Sequence, residues 1–439
     1  MEKLIIEGGT QLAGTVHTAG SKNATLPILA ASILTHDPLV IPNAPRLRDV
    51  ETMANLLRLL GCQVEGDDTG AIQVQAAGDI SPVAEWEQVR QMRGSVCVLG
   101  PLLARNGRAR VSLPGGCAFG VRPIDLHLKG MEALGASVRI EHGYVHAQAP
   151  AGGLVGAEVF LASGAGPTVL GTANVMMAAT LARGRTVIHG AACEPEVSDL
   201  ADCLNAMGAR INGQGSPRLE IEGVDELHGT THRVIPDRIE AGTYLVAGAL
   251  TGGRVRVTGC RPEHLFALLD HLAQARIPIE IGPDWVQSNE RGGSSGPALP
   301  APPRATDVTT HAYPGFPTDL QAQWMTLMCL ADGISLIEEQ IYPDRYMHVA
   351  ELVRLGARLR RVGTRTIVEG LGASDGRRAR LSGAPVTASD LRASAALVLA
   401  GLVATGSTEV HRVYHIDRGY ERIEDRLNAL GARIRRVRD

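Results

Sequence analysis

The chain has 439 residues, enough for two domains of ordinary size, each with its own core. Hydrophobic residues at 44% and charged residues at 20% give the balance of a globular protein and exclude a disordered one. A formal net charge of -3 and only 3% aromatic residues exclude a nucleic-acid surface built on broad basic patches and base stacking.

The N-terminal residues 1–7 read as a short strand. They lack the apolar stretch of a secretory signal. Cys62, Cys97, Cys117, Cys193, Cys203, Cys260 and Cys329 are odd in number and scattered, with no CxxC pair. That is neither a disulfide framework nor a zinc site, and it points to a reducing, cytoplasmic setting with no metal. The most apolar run, 393–404, falls short of the roughly 20 residues that span a bilayer, so no membrane association is expected.

Further along, one unit recurs. An amphipathic helix ends in Gly-Ala or a close variant, and an alternating strand follows. The turns fall at Gly61-Cys62, Gly135-Ala136, Gly208-Ala209, Gly356-Ala357 and Gly431-Ala432, with a worn copy at Arg276-Ile277. Val50, Met53, Leu57 and Leu60 share one helical face, as do Val197, Leu200, Leu204 and Met207, and Ile423, Leu427 and Leu430. A glycine after each helix suits a left-handed C-cap. Each unit has a second helix that is apolar nearly all round: 24–34, 95–104, 172–182, 242–250, 320–331 and 391–404. Such helices belong inside a core. The spacing predicts an α/β protein of six strand-helix-strand-helix-hairpin units, helices inside and sheets outside. Three units fill residues 22–230. The other three fill 231–439, with 1–21 joining them. The Gly-, Ser- and Pro-rich stretch 288–304 reads as a surface-loop insertion.

Polar residues gather where the buried helices begin. Lys22 and Asn23 open the first, Arg93 the second, Asp319 the fifth, and Asp390 with Arg392 the sixth. Free N–H groups, the helix dipole and nearby cations together favour an anion, so a phosphorylated substrate is expected in a cleft between the domains. The loop 113–123 holds three glycines, two prolines, Cys117 and Arg122. Its thiol is either a small core residue or a nucleophile activated by nearby cations. Asp319 is either a helix cap or a base for a substrate hydroxyl. Arg345 and Arg418 each precede an amphipathic helix and either face a ligand or pair with the adjacent Asp344 and Asp417.

Gly20-Ser21-Lys22-Asn23-Ala24, the 114–122 loop, 236–243, 316–323, 390–394 and 414–425 together resemble the UDP-N-acetylglucosamine 1-carboxyvinyltransferase family of enolpyruvyl transferases. The likeness runs nearly end to end. It implies an inside-out α/β barrel of two domains, with the active site in the cleft between them. The implied reaction moves the enolpyruvyl group of phosphoenolpyruvate to the 3-hydroxyl of UDP-N-acetylglucosamine, at the first committed step of peptidoglycan synthesis. Through that step it serves cell wall biogenesis, cell shape and cell division, and no cofactor is implied.

The same resemblance assigns roles to residues. Lys22, Arg122, Arg345, Arg392 and Arg418 surround the phosphate and carboxylate of phosphoenolpyruvate. Asn23, Arg93, Arg122, Pro123, Ile124, Asp125, Leu126, Thr168, Asp319 and Ile341 contact the nucleotide sugar. Asp319, Lys22 and Cys117 do the proton chemistry, with Cys117 also the group alkylated by fosfomycin. The chain departs from the family at 166–172, where the Ser-Val-Gly-Ala-Thr run is replaced. It departs again at Cys97, where relatives often have Trp, and in the 288–304 insertion. Another enolpyruvyl transferase of the same fold with a different acceptor, either shikimate 3-phosphate or the free uridine nucleotide of a tailoring enzyme, is the nearest alternative. A catalytically silent relative is a second, although Lys22, Cys117, Asp319 and Arg418 are all present.

Overall fold

The computed structural model describes all residues except 1, 68–69, 115–123, 165, 291–300, 373–379 and 439. The described residues form two compact units, one from 20–235 and one from 1–19 with 236–439. Each unit has a separate hydrophobic core. The chain changes unit at 19/20 and 235/236, a few residues from the expected 21/22 and 230/231. Ser21 N–H donates to Ile235 O at 2.7 Å, which ties both ends of the 20–235 unit together. Asp237 N–H donates to Ala19 O at 2.9 Å on the other side of the change.

Among the described residues, three four-stranded sheets in each unit follow one plan. Two neighbouring strands run parallel, and a hairpin then extends the sheet with antiparallel pairs. In the 20–235 unit the parallel pairs are Thr230–Thr231 with Leu39–Ile41, Val83–Ala84 with Arg108–Ser112, and Glu158–Phe160 with Arg185–His189. In the other unit they are Ala13–His17 with Arg254–Thr258, Val308–Thr309 with Ile334–Glu338, and Pro385–Thr387 with Ser407–His411. One sheet is completed from the far end of the sequence. Strand Glu2–Glu7 lies between Ser407–His411 and Arg433–Arg438, antiparallel to both. The period of two is plain in Arg254–Thr258, where Val255 and Val257 are fully buried and Arg254 faces outward.

Six helices fill the interior: α1 (Lys22–Ala31), α2 (Leu99–Asn106), α3 (Val169–Ala179), α4 (Arg238–Thr251), α5 (Gln321–Met328) and α6 (Leu391–Val403). Nearly every side chain on them is buried, which their all-round apolar sequence requires. Helices inside and sheets outside make an inside-out α/β barrel. Short 3₁₀ segments, Arg93–Val98 and Thr318–Leu320, lead into α2 and α5. Helix α4 starts earlier than the apolar run predicts, because the Asp237 carboxylate caps it by accepting from Ile239 and Glu240 N–H. No helix among the described residues is long and apolar enough to cross a membrane.

The recurrent turn has a backbone cause. Gly61, Gly135, Gly208, Gly356 and Gly431 have φ between 89° and 105°. A side chain is disfavoured there, and glycine is not. In the worn copy Arg276 takes the same left-handed conformation, with φ at 59°.

Candidate active site

In the 20–235 unit, Ser21 caps α1 by accepting from Ala24 N–H at 3.4 Å, so Lys22 is the first helical residue. Its buried ammonium sits 3.3 Å from Asp49 Oδ2, whose side chain is 4% exposed. An ammonium taken out of water needs such a countercharge. Asn23 is half-buried beside it, and Arg93, half-buried, opens the 3₁₀ segment that packs against α1. Thr168 caps α3, its Oγ1 accepting from Gly171 N–H at 3.2 Å. Ile124 is buried, Leu126 half-buried and Asp125 exposed at the start of helix Asp125–Ala133. Lys22, Arg93 and Thr168 thus stand at the starts of the segments that build this core. Cys117, Arg122 and Pro123 lie outside the described residues.

In the other unit, Asp319 is the centre of a cationic cluster. It does not cap a helix: Pro317 holds the cap position, and the Asp319 side chain turns to two arginines. Oδ1 accepts from Arg345 Nη1 at 2.6 Å, and Oδ2 accepts from Arg392 Nη2 at 3.1 Å. The Arg345 and Arg392 side chains are 8% and 2% exposed. Burial opposes the charge on both, but Asp319 and, for Arg392, Tyr420 outweigh it and hold both guanidiniums above their ordinary range. Asp390 and Glu339 add to the negative charge around Arg345, and Asp237 to that around Arg392, while the two forked guanidiniums offer donors whose geometry suits a planar or phosphorylated anion.

A further layer fixes these groups. Asp390 caps α6 through Arg392 and Ala393 N–H, which sets Arg392 at the helix start. Tyr420 Oη accepts from Arg392 Nη1 at 3.1 Å and lies 2.9 Å from Thr243 Oγ1. Gln323 Nε2 donates to Thr243 Oγ1 and to Asp319 O, each at 3.1 Å. Thr318 Oγ1 accepts from Arg345 Nη1 at 3.0 Å and donates to Glu339 Oε2 at 2.9 Å. Glu339, fully buried, also accepts from Thr310 Oγ1 and from Ile341 and Tyr342 N–H. Those bonds place Ile341.

Neither arginine cluster pairs internally as the alternative reading allowed. Asp344 is bound to Arg361 at 2.9 Å and Asp417 to Arg436 at 2.7 Å. Arg418 is half-buried at the end of the 3₁₀ segment Val413–Arg418. Asp49, Thr318, Gln323, Glu339 and Tyr420 were not foreseen from sequence. Only Asp49 carried a signal: it lies four residues before Met53 and seven before Leu56, on the apolar face of its helix.

The chain matches the family described as EPSP synthase (3-phosphoshikimate 1-carboxyvinyltransferase) over residues 6–427. It is 54% identical to the UDP-N-acetylglucosamine 1-carboxyvinyltransferase of Anaeromyxobacter dehalogenans (strain 2CP-C), covering 100% of both chains. It is 52% identical to the protein of that name from Nitratidesulfovibrio vulgaris (strain DP4), over 99% of each. Among solved structures, the enolpyruvyl transferase NikO from Streptomyces tendae has a TM-score of 0.87 at 26% identity. That likeness covers 99% of this chain and 98% of that one. EPSP synthase from Acinetobacter baumannii shares the fold, with a TM-score of 0.73 at 17% identity and full coverage of both chains. With its repeats, its cationic helix starts and these relatives all in agreement, the chain belongs to the UDP-N-acetylglucosamine 1-carboxyvinyltransferase family.

Proposed function

We propose that the chain transfers the enolpyruvyl group of phosphoenolpyruvate to the 3-hydroxyl of UDP-N-acetylglucosamine, releasing phosphate, in the cytoplasm. The observation that carries this reading is Asp319 held between Arg345 and Arg392, the latter at the start of buried helix α6, in a chain so close to relatives named for that reaction.

The chemistry is addition followed by elimination. Asp319 takes the proton of the 3-hydroxyl, whose oxygen bonds to C2 of phosphoenolpyruvate while C3 gains a proton. The tetrahedral product then loses a proton from C3 and breaks its C2–O bond to phosphate, leaving the enolpyruvyl ether. A carboxylate clasped by two guanidiniums is a weak base. Arrival of the phosphate and carboxylate of phosphoenolpyruvate gives those guanidiniums new partners and loosens their hold on Asp319. The family resemblance also gives Lys22, Arg122 and Arg418 a part in binding the anionic groups of phosphoenolpyruvate, and Cys117 serves as acid at C3 or in product release and as the site of fosfomycin alkylation. Asn23, Arg93, Arg122 through Leu126, Thr168 and Ile341 hold the nucleotide sugar.

The test is incubation with phosphoenolpyruvate and either UDP-N-acetylglucosamine or shikimate 3-phosphate, following phosphate release and product mass. Turnover with the nucleotide sugar is expected. Turnover only with shikimate 3-phosphate overturns the reading in favour of the other branch of the fold.

A further inference from the structure

Three elements of the 20–235 unit meet on one side chain. Asn174, in the middle of α3, is fully buried. Its Oδ1 accepts from Gly100 N–H in α2 at 2.7 Å, and its Nδ2 donates to Val96 O in the 3₁₀ segment Arg93–Val98 at 2.8 Å. These two partners settle the amide's orientation without ambiguity, because a backbone N–H only donates and a carbonyl only accepts. The same Nδ2 lies 3.0 Å from Nδ1 of His127, on helix Asp125–Ala133. Nδ1 therefore presents a lone pair, and the imidazole proton sits on Nε2.

The approach is close enough to demand its residues. A Cβ on Gly100 would stand 2.3 Å from Asn174 O and 2.9 Å from its Oδ1. The surroundings favour a neutral ring as well. His127 is 2% exposed, and burial, with Arg93 adding to it, pushes its pKa down to about 3. Helix α3 has no titratable side chain. The 3₁₀ segment brings Arg93 and Cys97, and burial pushes the Cys97 thiol up to about 12. Arg105 of α2 is spent on the carbonyls of Ile33, Thr35, Ala76 and Gly78. On the histidine's own helix, Asp125 and Lys129 are exposed.

We propose that Asn174 is a positioning residue that locks His127 as a neutral, Nε2-protonated donor and keeps Arg93 in register with Ile124–Leu126. The tie deepens the nucleotide-sugar reading and rests on it for its kinetic consequence. The tautomer itself does not depend on that reading. A cationic histidine here would add a charge that varies with pH beside Arg93. A neutral one keeps the grip on the substrate constant.

The decisive measurement is long-range ¹H–¹⁵N correlation on the histidine-labelled full chain, with His127 assigned by its loss in His127→Gln. The Nε2–H pattern, unchanged from pH 5.5 to pH 8.5, is expected. An Nδ1–H pattern, or titration near the ordinary value, overturns the proposal whether or not the chain turns over UDP-N-acetylglucosamine. In Asn174→Asp the side chain accepts only, so Nδ1 must carry a proton and the ring should titrate at least two units higher. KM for the nucleotide sugar should then rise about tenfold, the weight of one buried hydrogen bond, with KM for phosphoenolpyruvate unchanged. Equal losses in both KM values and in kcat would reduce Asn174 to a packing residue and defeat the proposal. Should that variant fail to fold, the wild-type spectrum decides alone.

Discussion

Asp319 shows how a residue's role depends on partners that sequence spacing does not reveal. Pro317, Thr318 and Asp319 look like a helix start, and a cap was a fair reading. The partners that decide otherwise are 26 and 73 residues away, Arg345 and Arg392. If Asp319 is the base, Asp319→Asn keeps substrate affinity within a few-fold and lowers kcat by at least ~100-fold, the usual scale for a lost general base. Stopped-flow binding and steady-state assays separate the two effects, and a near-normal kcat removes Asp319 from the role. The cysteines supply a second test. Burial pushes the thiols of Cys62, Cys97, Cys260 and Cys329 up to about 11, 12, 11 and 12, and that of Cys203 further still, while burial and then the Glu194 carboxylate raise the half-buried Cys193 above its ordinary value. They form almost no thiolate at pH 7. Fast alkylation of the native chain should therefore map by peptide mass to Cys117, and Cys117→Asp should abolish it together with inactivation by fosfomycin. Labelling of the buried thiols at a comparable rate would contradict this.

At the scale of the element, much was legible. Helix–Gly–strand copies follow from local backbone demands, and those are written in adjacent residues. The buried helices were visible as apolar runs, though their starts were blurred. A run of apolar residues does not show where a cap such as Asp237 begins the helix, or where a 3₁₀ turn precedes it. Glu339 and Asn174 were invisible, because each is important only through what folding brings to it from distant segments. The worn copy yields its own forecast. Arg276 pays for a left-handed backbone that glycine would adopt freely, at about 1 kcal/mol. Arg276→Gly should raise the urea midpoint of the 1–19 and 236–439 unit, and a lower midpoint would mean that its side chain contributes more than its backbone costs.

At the scale of the whole molecule, three buried groups link stability to pH. His127 and His348 are pushed down to about 3 and 4, each chiefly by burial. In the unfolded chain both take a proton near 6.5, whereas the native rings stay neutral. Their contribution is whole above pH 6.5 and falls as pH drops below it, by at most about 1.4 kcal/mol per pH unit for each. Glu240 is pushed up to about 7 by burial and works the other way, binding its proton in the native state between 4.5 and 7. It sits in the same unit as His348 and offsets it there, whereas His127 lies in the 20–235 unit. Urea titrations at pH 7 and pH 5 should show a drop in midpoint that is smaller in His127→Gln, and an equal drop in both would exclude His127 as its source. Leu4 and Ile6, on the strand Glu2–Glu7, are fully buried. Leu4→Ala should cost about 2–5 kcal/mol despite lying so near the N-terminus, as calorimetry can check.

That inserted strand also dictates an order of assembly during synthesis. Its hydrogen-bonding neighbours, Ser407–His411 and Arg433–Arg438, leave the ribosome about four hundred residues after it does. Until then the nascent chain carries the segment Glu2–Glu7, with its buried Leu4 and Ile6, without the strands it pairs with. The 20–235 unit, all of whose strands have by then emerged, is free to fold first.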